Sequence, residues 1–351
     1  MRLDDREWKP YRLSLLGKVE SGRDIYALER TDGDIPYITS GSQNNGIGYF
    51  VGNHNDTYDK GYIAFNRNGA VGVAFYHPYW SVMGNDCRKI HLKEADGNLY
   101  VGLFVATAIS MQSKSFSYSR KLGTGRANKL QIMLPVTEDG EPDYQFMEDY
   151  TKELMERKRK QYRTYAEKRL AELGILSENM RGGWNLLLTI REWKPFMISD
   201  VFEILPGKRL VSTDSKEGDR PFIGALDNSN GVARFVSDTN ASLDRNVLGV
   251  NYNGNGMVIG FYHPYECIFS DDVKRFHLKR HEDNMHVLLF MKVAILMQKK
   301  KFGYLYKFNA DRMAHTHIML PVTDDGEPDY DFMELFGKSL MRSKYEQYLA
   351  Y

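Results

Sequence analysis

The sequence predicts an α+β protein in which two similar domains follow one another and each is closed by a long helix. Three observations predict this fold class: an internal repeat, a mixture of strand and helix patterns within each copy, and a long amphipathic run after the first copy. A chain of 351 residues can hold two domains of ordinary size. We therefore predict the order domain, long helix, domain, shorter helix.

The internal repeat comprises segments that return in the same order, which chance does not produce. They lie at 6–10, 36–47, 75–79, 133–137 and 140–144, and they return at 191–195, 221–232, 261–265, 319–323 and 326–330. The offset is about 185 residues, and we place one extra residue of the second copy between Val236 and Tyr252. The predicted parts are a first domain (1–142), a first helix (143–173), a linker (174–190), a second domain (191–328) and a second helix (329–351).

Residues 143–173 are predicted to form one amphipathic helix, because apolar side chains recur at mostly helical spacings and no Pro or Gly occurs before Gly174. At ~1.5 Å per residue such a helix is roughly 45 Å long, which favours a spacer over a core helix. An antiparallel coiled coil with the second helix would bury both apolar stripes. The alternative is that the stripes bind a partner protein, through Met147, Tyr150, Leu154, Tyr165, Phe336, Leu340 and Tyr345.

The remaining elements follow from local patterns, in the same order in both copies. Short strands are predicted at 13–16 and 198–204, and again at 36–39 and 221–224. Residues 62–65 and 71–75 predict a hairpin whose turn carries Asn68 and Gly69, a typical tight-turn pair. Apolar runs at 99–111 and 285–297 predict mostly buried helices, and the patterns at 130–136 and 318–322 predict closing strands.

Composition and charge exclude some classes of protein. No run of eighteen apolar residues occurs, so we expect no membrane span. Cys87 and Cys267 are expected to be free thiols in a reducing cytoplasm. The net charge of +1 says little about nucleic acid, but residues 97–137 contain five Lys or Arg and no acid, and residues 284–323 contain six against Asp311 alone. A basic face in each copy suits a polyanion, and a solvated surface is the alternative.

Catalytic motifs are weak, so we predict no catalytic residue and no metal site in this chain. A DNA methyltransferase would show a Gly-rich cofactor turn and an Asn/Asp-Pro-Pro-aromatic motif, whereas the nearest strings are a lone Gly-x-Gly at 123–125 and His-Pro-Tyr at 77–79. Asp86 with Glu94 lacks the sequence context of a nuclease. Histidines that recur in both copies are expected to be packed and hydrogen-bonded, with a metal pair as the alternative: His77, His91, His263 and His277.

The tandem architecture resembles the specificity (S) subunit of restriction-modification systems, of type I or the related type IIB. Residues 199–204, followed by Gly207 and Lys208, are similar to the opening of the target recognition domains of that family. Residues 36–38 with residues 44–46 are similar to the next segment. The resemblance covers essentially the whole chain, and the architecture carries it because these domains diverge with the DNA that they recognise.

This resemblance implies a division of labour. Each target recognition domain would recognise one half of a bipartite double-stranded DNA target, and the helices would set the spacing between the halves. DNA methyltransferase (modification) subunits would bind the chain and carry S-adenosylmethionine and Mg, so that no cofactor is expected here. The resemblance also allows a restriction or translocase subunit as a partner, and it implies a cytoplasmic location. A stand-alone sequence-specific nucleic-acid-binding regulator is the alternative function.

The repeat also sorts the candidate DNA-binding residues. Positions shared by the copies are expected to hold the scaffold or phosphates, and divergent loop positions are expected to contact bases. The shared candidates are Arg23 with Lys208, Asn45 with Asn230, and Arg126 with Arg312. The divergent candidates are Ser42 with Asp227, Asn44 with Ser229, Arg67 with Asn253, Arg120 and Lys121 with Tyr306 and Lys307, and Lys129 with His315. Four further candidates are Asn68, Arg209, Lys299 and Lys301. Exposed turns and ion pairs without DNA contact are the alternatives.

Overall fold

The computed structural model describes residues 1–117, 119–174, 188–254 and 256–350. The chain divides into two compact units, Met1–Tyr162 and Arg163–Tyr351, each with one copy of the repeat. Most of the predicted linker at 174–190 lies outside the described residues. Within the described part of the chain, no helix is both long and apolar enough to cross a membrane.

The first copy of the repeat folds into short strands with helices between them. Its strands are β1 (Trp8–Arg12), β2 (Val19–Ser21), β3 (Ile35–Ile38), β4 (Ile47–Val51), β5 (Tyr62–Asn66), β6 (Ala74–His77), β7 (Val82–Met83), β8 (Cys87–Ile90) and β9 (Gln131–Pro135). Its helices are α1 (Leu13–Leu16), α2 (Leu99–Ser110), α3 (Thr124–Lys129) and α4 (Tyr144–Leu173). Helix α4 begins in the first unit and ends in the second.

The second copy repeats this order of elements. Its strands are β10 (Trp193–Met197), β11 (Phe202–Pro206), β12 (Glu217–Ile223), β13 (Val232–Val236), β14 (Val247–Asn251), β15 (Gly260–His263), β16 (Ile268–Phe269), β17 (Val273–Leu278) and β18 (His317–Pro321). Its helices are α5 (Ile198–Val201), α6 (Met285–Leu296), α7 (Ala310–His315) and α8 (Tyr330–Leu349).

The sheets of the two units have matching topology. In the first unit β1 pairs with β9, a four-stranded sheet has the order β2-β8-β5-β6, and a three-stranded sheet has the order β4-β3-β7. The second unit has β10 with β18, β11-β17-β14-β15 and β13-β12-β16. The four-stranded sheets are antiparallel, whereas β3 and β12 each have one parallel neighbour. Two similar domains of mixed strands and helices confirm the predicted fold class.

Each unit has its main core between the four-stranded sheet and one apolar helix. Helix α2 packs on β5 and β6 in the first unit, and α6 packs on β14 and β15 in the second. Both helices begin as predicted, after an Asn whose side chain caps the first turn: Asn98 accepts from two backbone N–H groups, and so does Asn284. The apolar runs are therefore the buried helices that the sequence predicts.

The long helices begin at equivalent carboxylates. The Asp143 carboxylate accepts a hydrogen bond from the backbone N–H of Phe146 (2.9 Å) and pairs with Arg6 (2.9 Å). Asp329 has the same role at the start of α8 and pairs with Arg191 (2.9 Å). A capping carboxylate satisfies a backbone donor and suits the positive end of the helix dipole.

The end of α4 packs against α8 within the second unit. The rings of Tyr165 and Tyr345 meet edge to face with centroids 6.1 Å apart, and Arg342 donates to the carbonyl of Gly174 (2.5 Å). Tyr165 contacts Tyr345, whereas Gly174, just after the end of α4, contacts the earlier residue Arg342. The two segments are therefore antiparallel, as the coiled-coil prediction requires.

Two segments predicted as strands are helical turns instead. Leu13 and Leu16 are both buried, and a spacing of three places both side chains on one face of a helical turn. Ile198 and Val201 repeat this arrangement, and the strand begins only at Phe202. Four residues are too few for apolar spacing alone to separate a helical turn from a strand.

Candidate nucleic-acid interface

Three loops meet at one edge of the first domain: the 40–46 turn, the tip of the β5–β6 hairpin, and the loop after α2. The backbone N–H of Ala70 donates to the carbonyl of Ser40 (3.1 Å), and the N–H of Leu122 donates to the carbonyl of Arg67 (3.2 Å). We call this edge the loop edge. It carries many of the predicted DNA-binding residues, namely Ser42, Asn44, Asn45, Arg67, Asn68, Arg120, Lys121 and Arg126.

The second domain has an equivalent loop edge. The side-chain amide of Asn251 at the end of β14 donates to the carbonyls of Leu226 (2.7 Å) and Gly256 (3.2 Å), and this joins the 225–231 turn to the hairpin tip. An open pocket of about 590 Å³ separates the hairpin tip from the loop after α6. The residues that line it include Asn253, Gly254, Lys299, Tyr304 and Lys307. Asp227 and Asn230 lie on the 225–231 turn, and Arg312 lies in α7, which follows the loop after α6.

A hydrogen-bonded relay fixes the 40–46 turn. Asn45 has a left-handed backbone (φ 55°), which Asn tolerates better than most residues. Its side-chain amide donates to the Tyr79 hydroxyl (2.6 Å), and that hydroxyl is 3.2 Å from Nδ1 of His77. Burial lowers the pKa of His77 to about 4, so the ring is neutral and Nδ1 can accept from the hydroxyl. The prediction of a packed and hydrogen-bonded histidine is confirmed here.

The same relay recurs in the second domain. Asn230 (φ 53°) donates to the Tyr265 hydroxyl (2.9 Å), which lies 3.3 Å from Nδ1 of His263. Burial, and then the charge of Lys292, lower the pKa of His263 to about 4. The amides of Asn45 and Asn230 therefore each support the turn on which they lie. Contact with DNA stays a prediction for both residues.

The hairpins of the two domains differ by one residue at the tip. Tyr62 pairs with His77 in the first hairpin, and Val247 pairs with His263 in the second. The offset between copies is thus 185 residues on the incoming strand and 186 on the outgoing strand. The extra residue of the second copy lies in the hairpin tip, and its predicted position before Tyr252 is wrong.

This register changes which tip residues correspond. Arg67 corresponds to Tyr252 and not to Asn253, and both are held by an equivalent acid. Arg67 Nη2 donates to Asp86 Oδ1 (2.9 Å). The pKa of the Tyr252 phenol is raised, first by burial, then by the charge of Asp272 and by a hydrogen bond to Asp272. Asn253 also donates a hydrogen bond to Asp272 (3.1 Å). Tyr252 is a loop-edge residue that the sequence comparison misses because of the shifted register.

Arg126 and Arg312 each hold the loop that precedes their own helix. One guanidinium nitrogen of Arg126 donates to the carbonyl of Lys121 (2.7 Å), and one of Arg312 donates to the carbonyl of Lys307 (2.8 Å). The Arg312 guanidinium also lies 3.9 Å above the ring of Tyr306. Because a guanidinium has five N–H donors, one bond to a carbonyl leaves capacity for a phosphate.

The other candidates lie on neighbouring loops and at helix ends. Arg23 is exposed and pairs loosely with Asp56 (3.4 Å), and Lys301 donates to Gln298 (2.6 Å). Exposed candidates at the ends of α3 and α7, or after β11, are Lys129, His315, Lys208 and Arg209. Each of these residues stays a predicted DNA contact.

A cluster of charged side chains in the first domain is absent from the sequence predictions. His91 contacts Asp96 through Nδ1 (2.7 Å) and Asp59 through Nε2 (2.9 Å), and Lys89 also pairs with Asp59. Burial opposes the charged form, but the two carboxylates raise the pKa of His91. The partners are 5 and 32 residues away in sequence, so no local pattern indicates them.

The second domain has the same cluster. His277 lies between Asp283 (2.7 Å) and Asp244 (3.0 Å), and Arg275 pairs with Asp244 (2.8 Å). The hydrogen bond to Asp283, together with Asp244 and against burial, raises the pKa of His277 to about 9. In the sequence, the cluster leaves a Lys/Arg-x-His spacing in both copies and an Asp that recurs as Asp59 and Asp244. Among the described residues, no group of three His, Cys, Asp or Glu has an arrangement that could hold a metal ion.

The candidate partner-binding residues have different environments. Met147 is fully buried in the core of the first domain, so we correct its assignment to a docking surface. Tyr150 extends an aromatic stack in which the rings of Trp8 and Phe104 are 6.0 Å apart, as are those of Phe104 and Tyr150. In the second domain Phe336 takes the place of Tyr150. Tyr165 and Tyr345 contact each other, as described above.

An apolar surface recurs beside each aromatic stack. In the first domain it lines part of a groove of about 530 Å³ whose other lining side chains are mostly apolar. We define the Met-rich surface of the first domain as Met111, Met133 and Leu154, and that of the second domain as Met297, Met319 and Leu340. The four methionines and Leu340 are exposed.

Comparisons with known proteins agree with this two-domain architecture. A family model for the type I restriction modification DNA specificity domain matches residues 5–162 and again residues 190–348. The type II restriction enzyme BgcI specificity subunit S.BcgI of Heyndrickxia coagulans is 37% identical over 326 residues, which are 92% of this chain and 89% of that protein.

Two solved structures are also similar to this chain. The S subunit of a type I restriction-modification system from M. genitalium has a TM-score of 0.48 and 15% identity, over 99% of this chain and 93% of that one. The HsdS subunit from Thermoanaerobacter tengcongensis has a TM-score of 0.33 and 12% identity, over 98% and 90%. The family match in both halves and the 37% identity show that the chain belongs to the type I restriction modification DNA specificity domain family, as a two-domain specificity subunit.

Proposed function

We propose that each domain recognises one half of a bipartite double-stranded DNA target, that the long helices set the spacing between the halves, and that DNA methyltransferase subunits bind this chain and perform the chemistry. The observation that carries the proposal is the loop edge itself. It occurs in both domains with the same internal supports, but with different side chains at its tips. Two loop edges that have the same internal hydrogen bonds but different tip residues suit two different half-sites.

The supports and the tips suit different parts of DNA. Arg126 and Arg312 recur and are fixed by loop carbonyls, and phosphates are the part of DNA that is the same in every sequence. We assign these two residues to phosphate contacts. Arg67 differs from its counterpart Tyr252 and is oriented by Asp86. Because arginine pairs well with a guanine edge in the major groove, we assign Arg67 to a base of the first half-site.

The other loop-edge residues extend this division. Exposed cations suit the phosphate backbone, whose contacts give most of the affinity and make it depend on salt: Arg23, Lys208, Arg209, Lys299 and Lys301. Neutral or acidic side chains on the 40–46 and 225–231 turns and on the second hairpin suit base edges: Ser42, Asn44, Asp227 and Asn253.

The length of α4 suits the spacing role. Its 30 residues correspond to roughly 45 Å. Half-sites on one face of B-DNA lie about 34–36 Å apart for one helical turn. A helix of this length is therefore of the right order to separate two DNA-binding domains.

The Met-rich surfaces support the docking of methyltransferase subunits. Exposed apolar patches mark interaction sites, and methionine adapts to irregular partner surfaces. Because the surface occurs once in each domain, we propose that two like subunits bind, one at each surface. In this proposal S-adenosylmethionine and Mg²⁺ bind to those subunits, and this chain contributes no catalytic residue.

The proposal is tested with the chain and its methyltransferase subunit, purified separately and together. DNA from cells that lack this restriction-modification system should be methylated by labelled S-adenosylmethionine only when both proteins are present. Efficient methylation by this chain alone would contradict the proposal. Sequence-specific DNA binding without any co-purifying methyltransferase would favour the stand-alone regulator.

The docking step has its own test in a pair of variants. Met297→Glu places a charge on the Met-rich surface of the second domain, and we expect one methyltransferase subunit to be lost from the assembly in native mass spectrometry. Leu28→Glu is the matched control, because Leu28 is fully exposed and lies away from both Met-rich surfaces in sequence. Retention of both subunits by Met297→Glu would place the docking surface elsewhere.

A further inference from the structure

The loop after α6 has at its tip a tight two-residue turn with two large apolar side chains. Gly303 and Tyr306 exchange backbone hydrogen bonds of 3.1 and 3.0 Å, so Tyr304 and Leu305 are the turn residues. Tyr304 is 86% exposed and Leu305 is 96% exposed. A single exposed leucine is ordinary. Two adjacent large apolar residues at the end of a turn leave almost their whole surface in water, and we call this pair the apolar tip.

The base of this turn is fixed. Tyr306 stacks on Phe302 with ring centroids 5.7 Å apart, and Phe302 packs against the fully buried Phe308 at 4.5 Å. The Arg312 guanidinium also supports this turn. It lies 3.9 Å from the centroid of the Tyr306 ring and donates a hydrogen bond to the carbonyl of Lys307. A rigid support under an exposed tip favours insertion into a partner, because little conformational freedom remains to be lost on binding.

The surroundings of the apolar tip favour DNA as that partner. Tyr304 lines the same pocket as Lys299, Lys307 and Asn253, so the tip belongs to the loop edge of the second domain. Cations around an apolar tip suit a polyanion with an apolar interior, and stacked base pairs have that character. Proteins that bend DNA insert Leu, Phe, Ile or Met between base steps while cations hold the flanking phosphates.

We propose that Leu305, supported by Tyr304, wedges between neighbouring base pairs of the half-site bound by the second domain and bends that half-site. The inference rests on the proposed DNA recognition by the second domain and adds a deformation step to it. Recognition there would depend partly on how easily the base step unstacks, because deformable steps cost less to open.

The sequence of the first domain has Tyr118 where the second domain has Tyr304, but no leucine follows it. Ser117 and Arg120 form the corresponding bridge, and Ser119 and Arg120 occupy the positions of Leu305 and Tyr306. A serine gains nothing from entering the base stack. The two half-sites should therefore differ in shape when bound, with a bend only in the half bound by the second domain.

The test uses the full chain together with the methyltransferase subunits that co-purify with it. The DNA is a duplex with a mapped target site, carrying one 2-aminopurine at a time at each adenine other than the methylated one. Pyrrolocytosine serves where a half-site has no such adenine. We expect fluorescence to rise several-fold at one step of the second half-site and at none of the first. Leu305→Ser, which copies the first domain, should abolish the rise and weaken binding about tenfold.

Leu305→Met is the control that keeps an apolar wedge, and it should retain the fluorescence rise. Specific binding by the unmodified chain without a rise at any step would overturn the wedge and leave the proposed function standing. Failure to bind the mapped site at all would overturn both. Loss of methyltransferase from Leu305→Ser, with the fluorescence rise unchanged, would show a protein contact and would also overturn the wedge.

Discussion

In both domains an Asn, a Tyr and a His form the same relay, whereas the loop beside that relay carries Arg120 in the first domain and Tyr306 in the second. The doubly bonded histidines His91 and His277 are also equivalent in contacts and distances. Differences are concentrated at the tips: Arg67 corresponds to Tyr252, and Ser119 corresponds to Leu305. Polar residues that recur in both domains therefore mainly support the loops.

Polar residues that recur in both copies of the repeat have two kinds of role. A polar residue that recurs in both copies is expected to hold either the scaffold or phosphates. The side-chain amides of Asn45 and Asn230 donate to Tyr hydroxyls and so support the scaffold. Arg126 and Arg312 use one donor for a loop carbonyl and have others for a phosphate, so they can serve both purposes.

The largest expected effect comes from Asp244→Asn, which removes the carboxylate shared by Arg275 and His277. The Arg275 side chain is 9% exposed, and breaking such a buried pair costs roughly 3 kcal/mol. Asp59→Asn in the first domain should cost less, about 2 kcal/mol, because Asp59 is more exposed than Asp244 (27% against 15%) and is better screened. Hydrogen exchange measured separately for each domain gives both losses. A larger loss for Asp59→Asn would contradict this ranking.

The pH dependence of the second domain is the next largest effect. The pKa of His277 is about 9 in the folded chain and about 6.5 when unfolded. Since folding raises this pKa, the stabilisation is complete below about pH 6.5 and is lost as the pH rises through about 9. We expect the free energy of unfolding of the second domain to fall by ~2 kcal/mol over this window, after allowance for solvent screening. Urea titrations at several pH values measure it, and Asp283→Asn should flatten the slope.

Removal of the relay hydroxyls tests whether the two supports are equivalent. Tyr79→Phe and Tyr265→Phe should each cost about 1–2 kcal/mol, because the amide and the imidazole of the relay lose their partner. Hydrogen exchange in the 40–46 and 225–231 turns measures the effect. We expect similar losses in both domains, and a loss confined to one of them would show that the relays are not equivalent in energy.

The smallest effect is expected from neutralising a phosphate contact. Arg312→Gln should weaken binding a few-fold for every DNA sequence and reduce the slope of log K against log salt by about 1. Arg126→Gln is the matched variant in the first domain and should behave alike. A change of sequence preference with an unchanged salt slope would assign these arginines to bases.

The sequence predicts the fold class and the long helices well, because a repeat and a 3.6-residue period are regular over many residues. The hairpin itself is predictable, but its predicted tight turn at Asn68 and Gly69 is wrong: both residues lie in a longer tip between Asn66 and Ala74, where the N–H of Val73 donates to the carbonyl of Ala70 (3.2 Å). The helical turn at Leu13–Leu16 is not, because it is too short to show a period. A comparison of copies also cannot place one extra residue in a tip where Asn and Gly alternate.

The site is less predictable than the fold because its contacts are distant in sequence. His91 and Asp59 are 32 residues apart, and Asn45 and Tyr79 are 34 residues apart. Recurrence indicates that such residues matter, but it does not say which atoms they bind. The apolar tip is a different case, since Tyr304 and Leu305 are unremarkable in sequence and only their exposure on a fixed turn identifies them.

The most direct test of the account maps the modified bases in DNA from a host that carries this chain and its methyltransferase partner. We predict two specific blocks separated by a fixed gap of unspecified sequence. Arg67→Asn should change one position in one block, by tenfold or more in preference, and leave the other block unaltered. A single contiguous target, or a uniform loss of modification at every site in Arg67→Asn, would contradict recognition of one half-site by each domain.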